Sequence, residues 1–122
     1  MILGIGCDII EITRIKKALQ KENFLRKCFT DNELEYISLR GGHARHAAAA
    51  FAAKEAVSKA LGTGVRGFSM RDIEILHDSL GKPYVNVFCG AKRVLDDLGG
   101  GKINISISHC VEYAAAFAVI EK

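Results

Sequence analysis

The sequence predicts an α+β domain in which a largely antiparallel sheet packs on one long helix. Three observations carry that expectation. Apolar residues alternate with a period of two near both ends of the chain, in "MILGIGCDII" and again in "INISISH" and "YAAAFAVIE", the spacing of half-buried strands. An alanine-rich run from about His43 to Leu61 holds no glycine or proline and stops at Gly62 and Gly64, as a helix ended by left-handed residues does. Strand and helix patterns also alternate over short connections, which favours an α+β arrangement.

The elements follow in order. Residues 2–10 read as a first, buried strand. Ile12, Ile15 and Leu19, then Phe24, Leu25, Cys28 and Phe29, recur at helical spacing and predict two short helices. Thr30 with Glu33 three residues on is a capping box, which starts a third helix by satisfying two free N–H groups. The long helix spans about 43–61. "RDIEILHD" and "KPYVNVF" read as strands joined through "SLGKP", "GAKRVLDDLG" as a helix before a flexible "GGGK", and 103–109 with 113–121 as a closing hairpin.

With 122 residues, 49% of them hydrophobic, the chain is expected to fold as a single domain, 1–122, because domains commonly run to about 100–150 residues. One proline and no repeat or low-complexity tract argue against disorder. The N-terminus is apolar but is cut by Asp8 and has no basic leader, so neither a signal peptide nor a membrane span is expected. Cys7, Cys28, Cys89 and Cys110 form no CxxC and read as small buried thiols of a reducing cytoplasm rather than a zinc site or a disulfide framework. A net charge of +3 with no tryptophan gives no support to nucleic-acid binding. The charge is uneven, however: Arg14, Lys16, Lys17, Lys21, Arg26 and Lys27 face only Glu22 across that segment. Such an excess suits either a solvated helix face or an acidic partner.

Chemistry concentrates in "FAAKEAVSKALGTG", residues 51–64. At about 100° per residue, Lys54, Glu55, Ser58 and Lys59 share one half of the helix, and Ala53, Ala56, Val57, Ala60 and Leu61 the other. A solvated Glu55–Lys59 pair, worth only about 0.3–0.5 kcal/mol, is the plain alternative. Asp8 adds weight to a site, because an acid inside an apolar strand is costly without a cation. If the first strand lies beside the long helix, Asp8 and Glu55 converge, and two carboxylates leaving room for water and phosphate oxygens are what Mg²⁺ takes. Asp8 bonded to backbone N–H groups at a strand end is the alternative. "NISISH" puts hydroxyls on one strand face and isoleucines on the other, with His109 either a phosphate ligand or a turn residue.

Taken together and in this order, "GIGCDIIEITRI", "FAAKEAVSKALGTG", "GKPYV" and "SISH" followed by "YAAAFAVIE" resemble the holo-acyl-carrier-protein synthases, the small 4'-phosphopantetheinyl transferases. The resemblance spans essentially the whole chain. It implies the single-copy fold of that family, forming a homotrimer with active sites at subunit interfaces, where the alanine face of the last strand is expected to bury. It also implies transfer of the 4'-phosphopantetheine arm of coenzyme A to a serine of an acidic apo acyl-carrier protein, releasing adenosine 3',5'-bisphosphate, in the cytoplasm and in fatty-acid biosynthesis. By the same resemblance, Asp8 and Glu55 hold Mg²⁺, or Mn²⁺ in its place, and Lys59 neutralises phosphate charge. Glu55 or a metal-bound water takes the serine proton. Lys59, Gly62, Gly64, Pro83, Ser108 and His109 line the coenzyme A site, and Arg14, Lys21, Phe24 and Lys27 dock the carrier protein. A domain that merely binds coenzyme A is the alternative, against which the presence of both Asp8 and Glu55 counts. Two positions depart from the family pattern: Ala50 stands where arginine is common, and Leu80 replaces the first residue of "NGKP". Loss of the arginine contact is expected to weaken coenzyme A binding unless Arg45, His46 or Lys82 compensates.

Overall fold

A computed structural model describes residues 1–122. Strand β1 (Ile2–Glu11) is followed by helices α1 (Ile12–Ala18), α2 (Glu22–Cys28), α3 (Asp31–Leu39) and α4 (Ala44–Ala60). Then come β2 (Ile73–His77), β3 (Pro83–Val87), α5 (Cys89–Asp97), β4 (Lys102–His109) and β5 (Tyr113–Glu121). No helix is long and apolar enough to cross a membrane.

All strand pairs are antiparallel, but they form two sheets rather than one: β1-β5-β4, and the hairpin β2-β3. β3 packs beside β4 without a ladder between them. It opens on Pro83, which has no N–H to donate, and a cleft lies between the two strands, lined by Pro83, Tyr84 and residues 102–105. A short 3-10 turn, Met70–Asp72, replaces the expected start of β2 and carries its own capping box from Ser69 to Asp72.

α4 is the centre of the molecule, in contact with β1, β5, β4, β2, α1 and α3. Ala47, Ala48, Ala52, Ala53, Ala56 and Val57 are fully buried, and small side chains let neighbours close in on several sides. The two-sided expectation for this helix is therefore corrected. Lys54 and Ser58 are as buried as the alanines, because β2 and α3 cover the side that the helical wheel assigns to solvent.

The alanine face of β5 is also corrected. Ala114, Ala116 and Ala118 are buried and line the sheet face that lies on α4. By strand alternation and register the opposite face carries Ile5, Cys7 and Ile9 of β1 beside Val119, Phe117 and Ala115 of β5. Ile5, Ile9 and Phe117 are all more than 60% exposed, at 69%, 66% and 62%. The cysteines are free, as expected, but only Cys28 is partly covered; Cys7, Cys89 and Cys110 are exposed, Cys7 because it lies on that open sheet face.

Candidate active site

The capping box of α3 forms as expected: Thr30 Oγ1 accepts from the Glu33 N–H, and Glu33 Oε1 accepts from the Thr30 N–H. Glu33 does more than cap. Its other oxygen accepts from the Ile75 N–H on β2 at 2.9 Å, and its carboxylate pairs with Lys54 Nζ at 2.5 Å. Lys54 also donates to the carbonyls of Met70 and Ile73 and lies 5.6 Å from the centroid of the Phe29 ring. Burial pushes the Glu33 carboxyl up and the Lys54 ammonium down, each opposed by the charge of the other. All three of Lys54's protons have acceptors, so this residue is a fixed internal clasp with nothing left for a ligand.

Its sequence neighbour Glu55 faces the other way, toward β1. Gly4 and Gly6 make that approach possible: a Cβ on Gly4 would stand 1.9 Å from the Ala60 carbonyl oxygen, and one on Gly6 2.1 Å from that of Ala56. The strand therefore lies against the backbone of α4, and strand alternation carries Asp8 onto the same inner face. Lys59 Nζ donates to Asp8 Oδ1 at 3.2 Å and to the Cys7 carbonyl at 3.0 Å, so it turns to β1 rather than to Glu55. Lys59 is about half exposed and Asp8 18% exposed. Burial first, and the Asp8 charge second, raise the Glu55 carboxyl above its ordinary range, with Lys59 acting in the opposite sense.

Asp8 and Glu55 line one cleft of about 330 Å³ with Arg14, Phe24 and Phe51. Phe24 is half-buried, its ring 5.7 Å from that of Phe51 and 6.0 Å from that of Phe29, so it forms part of the cleft wall. Arg14, Lys21 and Lys27 are exposed. No three or more His, Cys, Asp or Glu side chains are grouped so that they alone could hold a metal ion. Mg²⁺ commonly takes one or two carboxylates and completes its shell with water and substrate oxygens. Two carboxylates whose mutual repulsion already raises one of them fit such an ion.

The remaining residues of interest lie elsewhere in the single chain. Gly62 and Gly64, with φ of 87° and 61°, turn the chain out of α4. Pro83 and His109 meet in a second cleft of about 440 Å³, walled by Tyr36, His46, Ala49, His77, Lys82 and Ser106 among others. Ser108 is not among its lining residues; it is paired with Ala115 and points to the outer sheet face. The two clefts share no residue. Of the expected substitutes for an arginine, His46 and Lys82 line the second cleft, whereas Arg45 lines a separate groove beside α1. Ala50 itself is buried, and Leu80 is 94% exposed at the tip of the β2–β3 turn.

Sequence reasoning missed three contributors: the glycine pair, Phe51, and the stacked pair of Tyr36 and His77. Only the glycines carried a signal, since glycine inside a strand marks close approach of another backbone.

Comparisons with known proteins identify the family. A family model described as the 4'-phosphopantetheinyl transferase superfamily matches residues 4–118. The holo-acyl-carrier-protein synthase of Fusobacterium nucleatum is 54% identical over 121 residues, covering 98% of this chain and 99% of that protein. The crystal structure of the Neisseria meningitidis holo-acyl-carrier-protein synthase superposes with a TM-score of 0.91 at 38% identity, covering 100% of both chains. That of the Helicobacter pylori synthase in complex with coenzyme A superposes with a TM-score of 0.85 at 31% identity, covering 96% of this chain and 99% of the other. This chain belongs to the 4'-phosphopantetheinyl transferase superfamily.

Proposed function

We propose that this protein transfers the 4'-phosphopantetheine group of coenzyme A to a serine hydroxyl of an apo acyl-carrier protein. The products are the holo carrier protein and adenosine 3',5'-bisphosphate. The observation that carries the reading is that Asp8 and Glu55 line one cleft, with Lys59 paired to Asp8, in a chain 54% identical to a holo-acyl-carrier-protein synthase.

In the reaction the serine oxygen bonds to the phosphorus that bears the pantetheine, and the bond from that phosphorus to the bridging oxygen breaks. The serine loses its proton, and the departing bisphosphate carries the bond's electron pair away. Asp8 and Glu55 are the residues that would hold Mg²⁺, or Mn²⁺ in its place. Bound there, the ion supplies charge neutralisation on the diphosphate. Lys59, held by Asp8 yet half exposed, adds a cation that can exchange that carboxylate for a phosphate oxygen. Glu55, its carboxyl raised by burial and by Asp8, is the protein group best suited to accept the serine proton, since a base works best with a pKa closer to the working pH.

Arg14, beside the carboxylates, with exposed Lys21 and Lys27, would steer an acidic carrier protein to the cleft, and Phe24 with Phe51 would receive its apolar residues. Gly62, Gly64, Pro83, Ser108 and His109 would bind coenzyme A. The separation of the Pro83–His109 cleft from the Asp8–Glu55 cleft within one chain supports sites to which two protomers each contribute, in the homotrimer of a single 1–122 domain that the family resemblance implies. The exposed apolar strip of Ile5, Ile9 and Phe117 supports such an interface, since exposed patches of this kind commonly mark protein contacts. The setting proposed is the cytoplasm, on a carrier of fatty-acid biosynthesis.

The test is the intact mass of an apo acyl-carrier protein after incubation with this protein, coenzyme A and Mg²⁺. A gain of one phosphopantetheine, lost with EDTA and with Glu55→Gln, is expected. Bound coenzyme A without any gain in mass would leave a binding domain instead.

A further inference from the structure

The second cleft carries more basic groups than the Pro83 and His109 that the family reading assigns to coenzyme A. Its walls carry three imidazoles, His46, His77 and His109, and the ammonium of Lys82, and no carboxylate lines it. Asp78 stands next to it, but its Oδ1 already accepts from the N–H groups of Leu80 and Lys82 at 2.9 Å each. Tyr36 organises the wall: His77 stacks on its ring at 4.3 Å with 8° between planes, His46 meets its edge at 6.4 Å, and the Arg40 guanidinium lies 5.1 Å from its centroid.

No hydrogen bond from the chain fixes the proton on His77 Nδ1. Its Nδ1 is buried with no hydrogen-bond partner, so no protein group selects a tautomer or holds a second proton on the ring. What decides the protonation of such a histidine is the ligand that meets it. Without one, both rings are biased to the neutral form. Burial lowers His77, with Arg40 adding to the effect and Asp78 opposing it. Burial also lowers His46, helped by Arg45, Arg40, His43 and His109. The acid nearest the far side of the Tyr36–His77 stack is Glu35, in a shallow depression shared with Tyr84.

We propose that His46 and His77 are the specificity-determining pair for the phosphorylated nucleotide end of coenzyme A, becoming imidazolium when a phosphate monoester enters, so that loading draws a proton from water. A cleft of four basic groups would be cationic at rest if all were charged. With His46 and His77 biased to the neutral form, a dianion that draws a proton onto them gains charge-assisted hydrogen bonds the empty cleft does not offer. The inference rests on the proposed reading that Pro83 and His109 of this cleft bind coenzyme A, and takes its nucleotide end to be the part that enters.

Calorimetric titration with adenosine 3',5'-bisphosphate at about pH 7.5, in two buffers of different ionisation enthalpy, tests it. At that pH a phosphate monoester, with its second pKa near 6, is already dianionic, so proton uptake belongs to the protein. Wild type is expected to take up a measurable fraction of a proton. His46→Gln and His77→Gln each reduce it and weaken affinity by about tenfold, and the double variant abolishes it. His→Asn versions repeat the test, with circular dichroism verifying the fold. Unchanged uptake and affinity in the double variant overturns the proposal. Lys82→Ala separates the two possible failures. If it weakens binding while the histidine double variant does not, only this inference fails. If it too leaves affinity untouched, the nucleotide binds elsewhere and the reading of the cleft falls with it.

Discussion

Lys54 and Lys59 sit on the same helix and each faces a carboxylate, yet they do opposite things. Lys54 is sealed, 0% exposed, against Glu33 and two carbonyls. Lys59 is 53% exposed beside Asp8. A sealed ion pair with every proton assigned fixes architecture, because removing either partner strands a charge. An open pair of the same chemistry can exchange partners and is free for a substrate. The "KEAVSK" stretch is thus a seam, with its first lysine turned to the core and its glutamate and second lysine to Asp8 and the strand β1.

Removing the clasp is expected to have the largest effect. Lys54→Met leaves Glu33 alone in the core and should cost about 3–5 kcal/mol of unfolding free energy in a denaturant titration. Adding Glu33→Gln should recover a substantial part of that loss. A Lys54→Met protein as stable as wild type would erase the distinction between the two lysines.

Next in size is the open side. Asp8→Asn and Glu55→Gln should each lower transfer by at least about a hundredfold at saturating coenzyme A, with unfolding free energy within about 0.5 kcal/mol of wild type near acidic pH. Stability versus pH sharpens the point. The folded Glu55 carboxyl holds its proton more tightly than it does in the unfolded chain. Its stabilising contribution is therefore complete below the ordinary glutamate value and is lost as pH rises through the raised one. Wild type should lose stability relative to Glu55→Gln as pH rises from the ordinary glutamate value through the raised one, and parallel curves would remove the like-charge repulsion from the account of the cleft.

The smallest effect lies at the rim. Charge reversal at Arg14 or Lys27 should raise KM for the carrier protein by roughly tenfold or less, more at low salt, with coenzyme A affinity unchanged. Loss of coenzyme A affinity instead would move the docking face.

Much of this was legible in the residues. The Thr30–Glu33 capping box, the long helix and the closing hairpin each follow from local pattern, and each forms. Asp8 was legible because an acid in an apolar strand demands a reason. What was not legible depended on which elements would cover α4. A helical wheel assigns Lys54 and Glu55 to the same side, and only the packing of β2 and α3 on one flank and β1 on the other separates them. The alanine face of β5 misled for the same reason: small apolar residues suit an internal helix contact and a subunit interface equally well. Tyr36 and His77 come from separate elements and meet only once β2 docks on α3, so no spacing could announce them.

The glycines of β1 also bear on how the chain avoids misfolding. A strand whose residues alternate faces can slip by one position and turn every side chain over. Here such a slip would drive Ile5 or Cys7 into gaps where even a Cβ would stand 1.9 or 2.1 Å from a helix carbonyl, and would turn Asp8 out to the open face. The alignment that lets β1 seat at all is the alignment that points the carboxylate at Glu55, so a protomer that has folded is already aimed.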